Sequence, residues 1–223
     1  MISTSTDLSL AIRFAGTGEL PDRAAATGET VQKSTQSDTR SRIVETAEHL
    51  IRRFGHTKTK VSDIARALSM SPANIYRYFP SKDAINDAVC RRILDEEFAV
   101  ASAIAHSDAS AQDRLCALLL ALARVNMVRR TADEQMHEVL ATAARGNWSI
   151  VIDYRERLET ILTTIVSDGI ESGEFAERDA QRASRCVLLA MMRYLHPPLV
   201  VECDGLSQTK LEDMINFCLA ALR

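Results

Sequence analysis

The chain has 223 residues, 46% hydrophobic and 26% charged, with a net charge of −3: ordinary values for a soluble globular protein with one large domain or two small ones. No uninterrupted apolar run approaches the ~18 residues of a membrane span, and no basic segment followed by an apolar core marks a secretory signal, so the expectation is a cytoplasmic protein without a membrane partner. The five cysteines (Cys90, Cys116, Cys186, Cys203 and Cys218) are odd in number and contain no C-x-x-C pair, which points to free thiols in a reducing compartment and to neither a disulfide framework nor a zinc site.

Residues 1–36 are rich in Ser, Thr, Ala and Gly and show no lasting hydrophobic period, so a disordered extension is expected there. Ser37 or Asp38 then caps a helix to about Phe54, with Ile43, Ala47, Leu50, Ile51 and Phe54 as its stripe and Gly55 as its stop. Lys58, Thr59 and Lys60 lead onward, with Thr59 the expected cap of a short helix over Lys60 to Leu68. Its face is Val61, Ile64, Ala65 and Leu68, spaced i, i+3, i+4, i+7. Ser69 and Met70 make a turn. Ser71 suits an N-cap and Pro72 the first position of a second helix running to Tyr78, which buries Ile75 and Phe79. Its other face carries Ala73, Asn74, Tyr76, Arg77 and Tyr78, a set of small, amide, cationic and phenolic groups suited to a DNA groove.

After Pro80, Ser81 caps a helix from Lys82 to about Ala105. Every later segment also reads as helix: from Ser110 to Arg130; from a capping box at Thr131 and Glu134 to Arg145; from Asn147 to about Ser172; from about Arg178 to Leu195, stopped by Pro197 and Pro198; and from about Ser207 to Leu222. Leu199 to Gly205 is expected to be a loop. The fold class is all-α with nine helices. It divides into an extension (1–36), a helix-turn-helix domain (37–84, motif about 60–79) and a helical body (85–223). Charge follows this division, with 11 Lys/Arg against 6 Asp/Glu over Ser37–Arg92 and 13 against 20 over Ile93–Arg223. A basic head on an acidic body suits a nucleic-acid partner at one end.

The run Thr59-x-Val61-x-x-Ile64-Ala65-x-x-Leu68, then Met70-Ser71-x-x-x-Ile75-Tyr76-x-Tyr78-Phe79-x-x-Lys82, resembles the DNA-binding domain of the TetR-like (TetR/AcrR) transcriptional regulators. The resemblance covers about Ser37 to Ile93. It implies a homodimer that sets its third helix in the major groove of a near-palindromic operator on double-stranded DNA. It also implies a body that dimerises through its last two helices and holds a small-molecule pocket, with ligand binding moving the fourth helix. The matching phosphate-contact positions are Thr59, Tyr76, Tyr78 and Lys82, with Lys58 and Lys60 as further cations; the candidate base readers are Ser71, Pro72, Ala73, Asn74 and Arg77. Ala73 stands where relatives often have Gly, and Tyr78 where they often have His.

The body contains no H-x-x-x-H or H-E-x-x-H spacing, no Gly-rich phosphate loop and no G-x-S-x-G, so neither an enzyme nor a metal or cofactor site is expected. Met127, Met136, His137, Leu140, Trp148, Tyr154 and Met192 are candidates for lining a pocket for an apolar or amphipathic ligand, with core packing as the alternative for each. Val187, Met191, Tyr194, Leu211, Met214, Ile215 and Cys218, on the last two helices, are candidates for a dimer interface. The leading expectation is a sequence-specific repressor released from its operator by a small molecule. The alternatives are a ligand-independent DNA-binding factor with the same head, or a helical scaffold or enzyme whose head no longer binds DNA.

Overall fold

The computed structural model describes residues 28–176, 179–202 and 209–223. Ten helices and no strand occur among the described residues, one helix more than expected. The extra helix is α9 (Pro197–Glu202), which overlaps the loop expected over Leu199–Gly205; residues 203–205 of that loop lie outside the described residues. The paired prolines that stop α8 also start α9, since proline at a first helical position forfeits a donor that has no partner there anyway. No described helix is long and apolar enough to cross a membrane.

Helix α1 (Gly28–Phe54) begins before the expected cap at Ser37 or Asp38. The extension expected over 1–36 lies outside the described residues as far as residue 27, and its last residues form the first turns of α1. That start was illegible because residues 29–38 contain neither an apolar stripe nor a helix breaker. The other end falls as expected. Gly55 adopts φ +86°, and a Cβ there would meet Gln135 Oε1 at 2.5 Å. Gly55→Ala is therefore expected to cost about 1–2 kcal/mol from the left-handed backbone alone, before any cost of moving Gln135, measured as a lower denaturation midpoint.

Two short helices follow, α2 (Val61–Ala67) and α3 (Pro72–Tyr76). Between them Ser69 takes φ +55°, and the Met70 amide donates to the Ala65 carbonyl at 2.8 Å, closing the turn expected from Ser69 and Met70. Helix α4 (Lys82–Ala105) starts and ends where the sequence places it, with the Ser81 hydroxyl accepting from the Ala84 amide at 3.0 Å. The remaining helices are α5 (Ala111–Ala132), α6 (Glu134–Arg145), α7 (Ser149–Glu171), α8 (Ala180–Leu195) and α10 (Leu211–Leu222).

Several caps differ from expectation. Lys60 rather than Thr59 is the N-cap of α2, with Asp63 Oδ2 accepting from the Lys60 amide at 3.1 Å. Asp133 caps α6 in place of the Thr131 box, because the Thr131 hydroxyl bonds back to the Met127 and Val128 carbonyls and extends α5. Trp148 caps α7, while Asn147 takes φ +48°, a conformation that Asn tolerates better than most residues. The N-terminus of α5 is held from a distance, since the Glu174 carboxylate accepts from the Ala111 and Gln112 amides at 3.0 Å each, and these bonds lower its pKa.

Helix α7 packs against α4, α5 and α8, and its buried face is Ile150, Tyr154, Leu158, Ile161, Leu162, Ile165 and Val166. Gly169 continues that face where the Phe175 ring lies directly over it; a Cβ at 169 would overlap the ring. The Phe175 amide donates to the Gly169 carbonyl, and the next amide, Ala176, donates to Leu222 at the end of α10. These contacts hold the end of α7 to the end of α10.

Candidate DNA interface and ligand cavity

The head is built so that one side of α3 is consumed by the core and the other is left outside. Ile75 and Phe79 are fully buried, against the same cluster as Val61, Ile64 and Ala65 of α2. Pro72, Ala73, Tyr76 and Arg77 are exposed, and Asn74 and Tyr78 half-buried. The Ser71 hydroxyl oxygen accepts from the Asn74 amide at 3.2 Å, so Ser71 shapes the start of α3 and still has a proton to donate. Helix α3 ends at Tyr76, so Arg77 and Tyr78 sit in its closing turn and beyond.

Among the expected phosphate contacts, Lys58 and Lys60 are exposed. Thr59 is 4% exposed, and its hydroxyl donates to the Gly55 carbonyl at 2.8 Å. It ties the α1–α2 loop together and is withdrawn as a phosphate contact. Lys82 is half-buried, with Nζ donating to the Thr57 carbonyl at 3.1 Å, which anchors the same loop to the start of α4. Burial, then the neighbouring Lys82 charge, hold the His56 pKa below its ordinary value, with Glu138 opposing. His56 thus adds no positive charge to this end at neutral pH.

A cavity of about 410 Å³ lies in the body among α4, α5, α6, α7, α8 and the start of α9. Of the seven candidates for a ligand pocket, Leu140, Tyr154 and Met192 line this cavity and the other four do not. Met127 is exposed on the outside of α5, Met136 and His137 are buried away from the cavity wall, and Trp148 packs over Gly146 at the α6–α7 junction. Periodicity alone identified an apolar face without telling which neighbour that face meets.

The most buried charges of the cavity wall stand outside the expected set. Glu97 of α4 and Arg129 of α5 form an ion pair in its wall, with side chains 7% and 9% exposed. Arg129 Nη2 donates to Glu97 Oε1, and the Tyr154 hydroxyl donates to Glu97 Oε2 at 3.1 Å. Burial lowers the Arg129 pKa to about 10 and raises that of Tyr154, which leaves both protonated at neutral pH. The signal was in the sequence. Glu97 sits between Ile93 and Ala101 at four-residue steps, and Arg129 follows Leu122 and Asn126 on the buried face of α5. A charge on the apolar period of a helix marks a buried charge.

The same pair borders a second cavity of about 260 Å³, which also touches Arg52 of α1, Val100 and Val125. Arg52 is ion-paired with Asp133 at the start of α6 and with Glu48 of α1 at 2.8 Å. Arg92 of α4 reaches Glu45 and Glu48 at 3.2 and 3.4 Å. Ionic contacts therefore join α1, α4 and α6 beside the buried pair.

Helices α8 and α10 take four of the seven expected interface residues into the subunit's own core. Val187, Met191, Ile215 and Cys218 are buried inside the subunit, and Tyr194, Leu211 and Met214 are partly buried against the same core. The Tyr194 hydroxyl donates to the Thr209 carbonyl at 2.8 Å. The large apolar side chains left outside are Leu189 of α8, 70% exposed, and Phe217 of α10, 66% exposed. Each helix spends its richest apolar stripe on its own subunit and keeps a smaller one outward.

A short helix with a buried back and an exposed polar face, set after a tight turn on a preceding helix, defines a helix-turn-helix DNA-binding regulator. Comparison with known families is more specific. Residues 43–89 match the model described as "Bacterial regulatory proteins, tetR family", and residues 111–214 match "Tetracyclin repressor-like, C-terminal domain". The chain belongs to the tetR family of transcriptional regulators. No curated protein sequence matches it. Among solved structures it is similar to a TetR/AcrR-family regulator from Thermobifida fusca (23% identity, 83% of this chain and 96% of that one, TM-score 0.61). It is also similar to FadR from Bacillus subtilis in complex with stearoyl-CoA (20%, 82% and 96%, 0.58). A third is a regulator from Saccharomonospora viridis in complex with choline (26%, 82% and 94%, 0.59).

Proposed function

We propose that this regulator is a homodimeric repressor that holds a near-palindromic operator with residues 37–84 and lets go when a small molecule enters the body formed by residues 85–223. The observation that carries the DNA-binding role is the split of α3 and the turn that follows it, with Ile75 and Phe79 fully buried and Ala73, Tyr76 and Arg77 outward. Asn74 and Arg77 read bases; Ser71, Pro72 and Ala73 permit close approach; Lys58, Lys60, Tyr76, Tyr78 and the remaining donors of Lys82 meet phosphate. The cavity beside α4 supports the ligand response, as do the small molecules held by the two related structures. Exposed Leu189 and Phe217 support a second subunit packing on α8 and α10.

Selection of DNA sequences by the purified protein tests the reading: paired, inverted half-sites are expected to be enriched. A failure to enrich any pair, together with weak binding insensitive to salt, would sink it. Within an enriched site, Arg77→Ala is expected to relax preference at one position of each half-site, at about 1–3 kcal/mol. Lys60→Ala is expected to weaken all sequences alike and reduce the salt slope by about one. Titrations of both variants over a range of salt concentrations separate the two effects.

A further inference from the structure

We infer that the larger cavity takes an amphipathic anion whose carboxylate replaces that of Glu97 on Arg129. This rests on the ligand-responsive reading above and adds the chemical class of the ligand.

The buried polar part of the cavity is a donor set around one carboxylate, Glu97; Glu156, Glu159, Arg155 and Arg185 line its more exposed side. Arg129 and the Tyr154 hydroxyl, from two different helices, both donate to Glu97, one to each oxygen. Guanidinium and phenol donors converging on two oxygens suit any carboxylate brought to that place. Glu97 is the carboxylate present in the ligand-free protein. The rest of the wall is largely apolar, with Leu140, Leu158, Leu188 and Met192 positioned to take a hydrocarbon chain.

Of the two ionic partners, the anion is the exchangeable one. Arg129 lies in the last turn of α5, where the helix dipole favours a cation whether or not Glu97 is present. The cavity wall carries Arg155 and Arg185 beside Glu156 and Glu159, with Arg185 Nε donating to Glu159 Oε1 at 2.7 Å, so charge there is mixed; behind the wall, on the α6 side of Arg129, it leans positive. His137 of α6 is buried, and neither ring nitrogen has a hydrogen bond. Its pKa is held down first by burial and then by Arg129, with Arg130 and Arg145 pushing the same way and only Glu138 opposing. A cationic ligand would have to evict Arg129 from Glu97 against the dipole of α5. An anionic ligand has only to displace Glu97.

Glu97 also has somewhere to go. It borders the second cavity as well as the first, and Arg52 of α1 stands in the wall of that second space. Moving there spares the site two unscreened carboxylates side by side, an arrangement that would force one of them to take up a proton. Glu97 then competes for Arg52 with Asp133 of α6 and Glu48 of α1. A change at the ligand's head group thereby reaches the helix that supports α2 and α3 in the DNA-binding head.

Calorimetric titration of the full chain with decanoate, decanol and decyltrimethylammonium, below their micellar concentrations, tests this. The wild type is expected to bind decanoate several-fold tighter than decanol, since only a carboxylate can take up both the Arg129 and Tyr154 donors in exchange for Glu97. The ammonium compound is expected to bind most weakly. Glu97→Gln removes the internal competitor, so it is expected to tighten decanoate while leaving decanol unchanged. Equal binding of decanoate and decanol overturns the proposal. So does a preference for the ammonium compound, or weaker decanoate binding to Glu97→Gln. If that variant does not fold, the ranking of the three head groups on the wild type decides. Binding of decanol or the ammonium compound without decanoate defeats the anion assignment and leaves ligand responsiveness standing. If none of the three binds and no compound of a broader thermal-shift screen stabilises the protein, both fail.

Discussion

Arg129→Ala is expected to cost about 3–5 kcal/mol of folding stability, read as a lower urea midpoint, because it strands the Glu97 carboxylate in the interior. The neighbours show why so little compensation is available. Glu97 is 7% exposed on its side chain, and after the substitution the one side-chain donor left to it among the described residues is the Tyr154 hydroxyl. Uncompensated burial disfavours the ionised form, so the stranded carboxyl takes up a proton more readily, and the variant should recover some stability as the pH falls. Replacing both residues by Met is a different case. It removes the desolvation of two charges together with their attraction, and such exchanges are typically neutral or stabilising by about 1–4 kcal/mol. The double variant should therefore be at least as stable as the wild type while losing its discrimination between decanoate and decanol. A single Arg129→Ala variant within about 0.5 kcal/mol of the wild type, the range of an ordinary surface substitution, would mean that the pair is solvated and that the cavity assignment fails.

This contrast explains why an ion pair is a reasonable thing to find in the wall despite contributing little to stability. An apolar wall would hold α4 against α5 and α7 equally well but could not distinguish a ligand's head group. A wall made of paired charges has two states close in energy once a competing carboxylate arrives, because one ion pair is exchanged for another. Arg52, Arg92, Glu48 and Asp133 continue the ionic contacts from that wall to α1 and α6.

How far the sequence could be read follows from this kind of difference. The head was legible down to single residues, because Ser71 and Pro72 act locally and because Val61, Ile64, Ala65, Ile75 and Phe79 bury on the period that the spacing implies. Helix α4 was placed from Lys82 to Ala105 by its Ser81 cap and its stripe. The start of α1 is illegible because its first turns bear no stripe, and α9 because paired prolines read as a stop. In the body, the apolar period marked which residues turn inward but could not say whether they meet a neighbouring helix, as Met136 and Val187 do, or a cavity, as Met192 does. Thr59 shows the converse error. Its type and position suited phosphate, yet its hydroxyl is held by the Gly55 carbonyl four residues back. Glu97 and Arg129 were readable in principle as charges on apolar registers, a pattern as informative as the apolar residues around them.

Phe79→Ala is the change expected to damage the DNA-binding head most, at about 3–5 kcal/mol of stability for a fully buried aromatic. Phe79 lies three residues beyond the end of α3 and is the point at which the chain leaving the proposed recognition helix is pinned to the core. Its ring packs in the same cluster as Ile75, Val61 and Ile43, and the Arg40 guanidinium of α1 lies 4.1 Å from the ring centroid. Arg40 Nη1 also donates to the Tyr78 carbonyl at 2.8 Å, so one side chain of α1 covers the ring and holds the adjacent backbone. Removing the ring leaves a void beneath α3 and takes away the surface on which Arg40 rests. A five-residue helix has too few internal hydrogen bonds to keep its shape without that support. Operator affinity should therefore fall with stability, although Phe79 itself contacts no DNA. Arg40→Ala should be milder, losing about 0.5–1 kcal/mol of cation–π attraction and about 1 kcal/mol for the hydrogen bond. It should loosen operator binding while leaving preference among bases as it was, since Asn74 and Arg77 remain. Urea denaturation alongside operator titration gives both quantities for each variant. If Phe79→Ala bound the operator with wild-type affinity, α3 would hold its shape without this packing, and the buried ring would have no part in presenting the recognition helix.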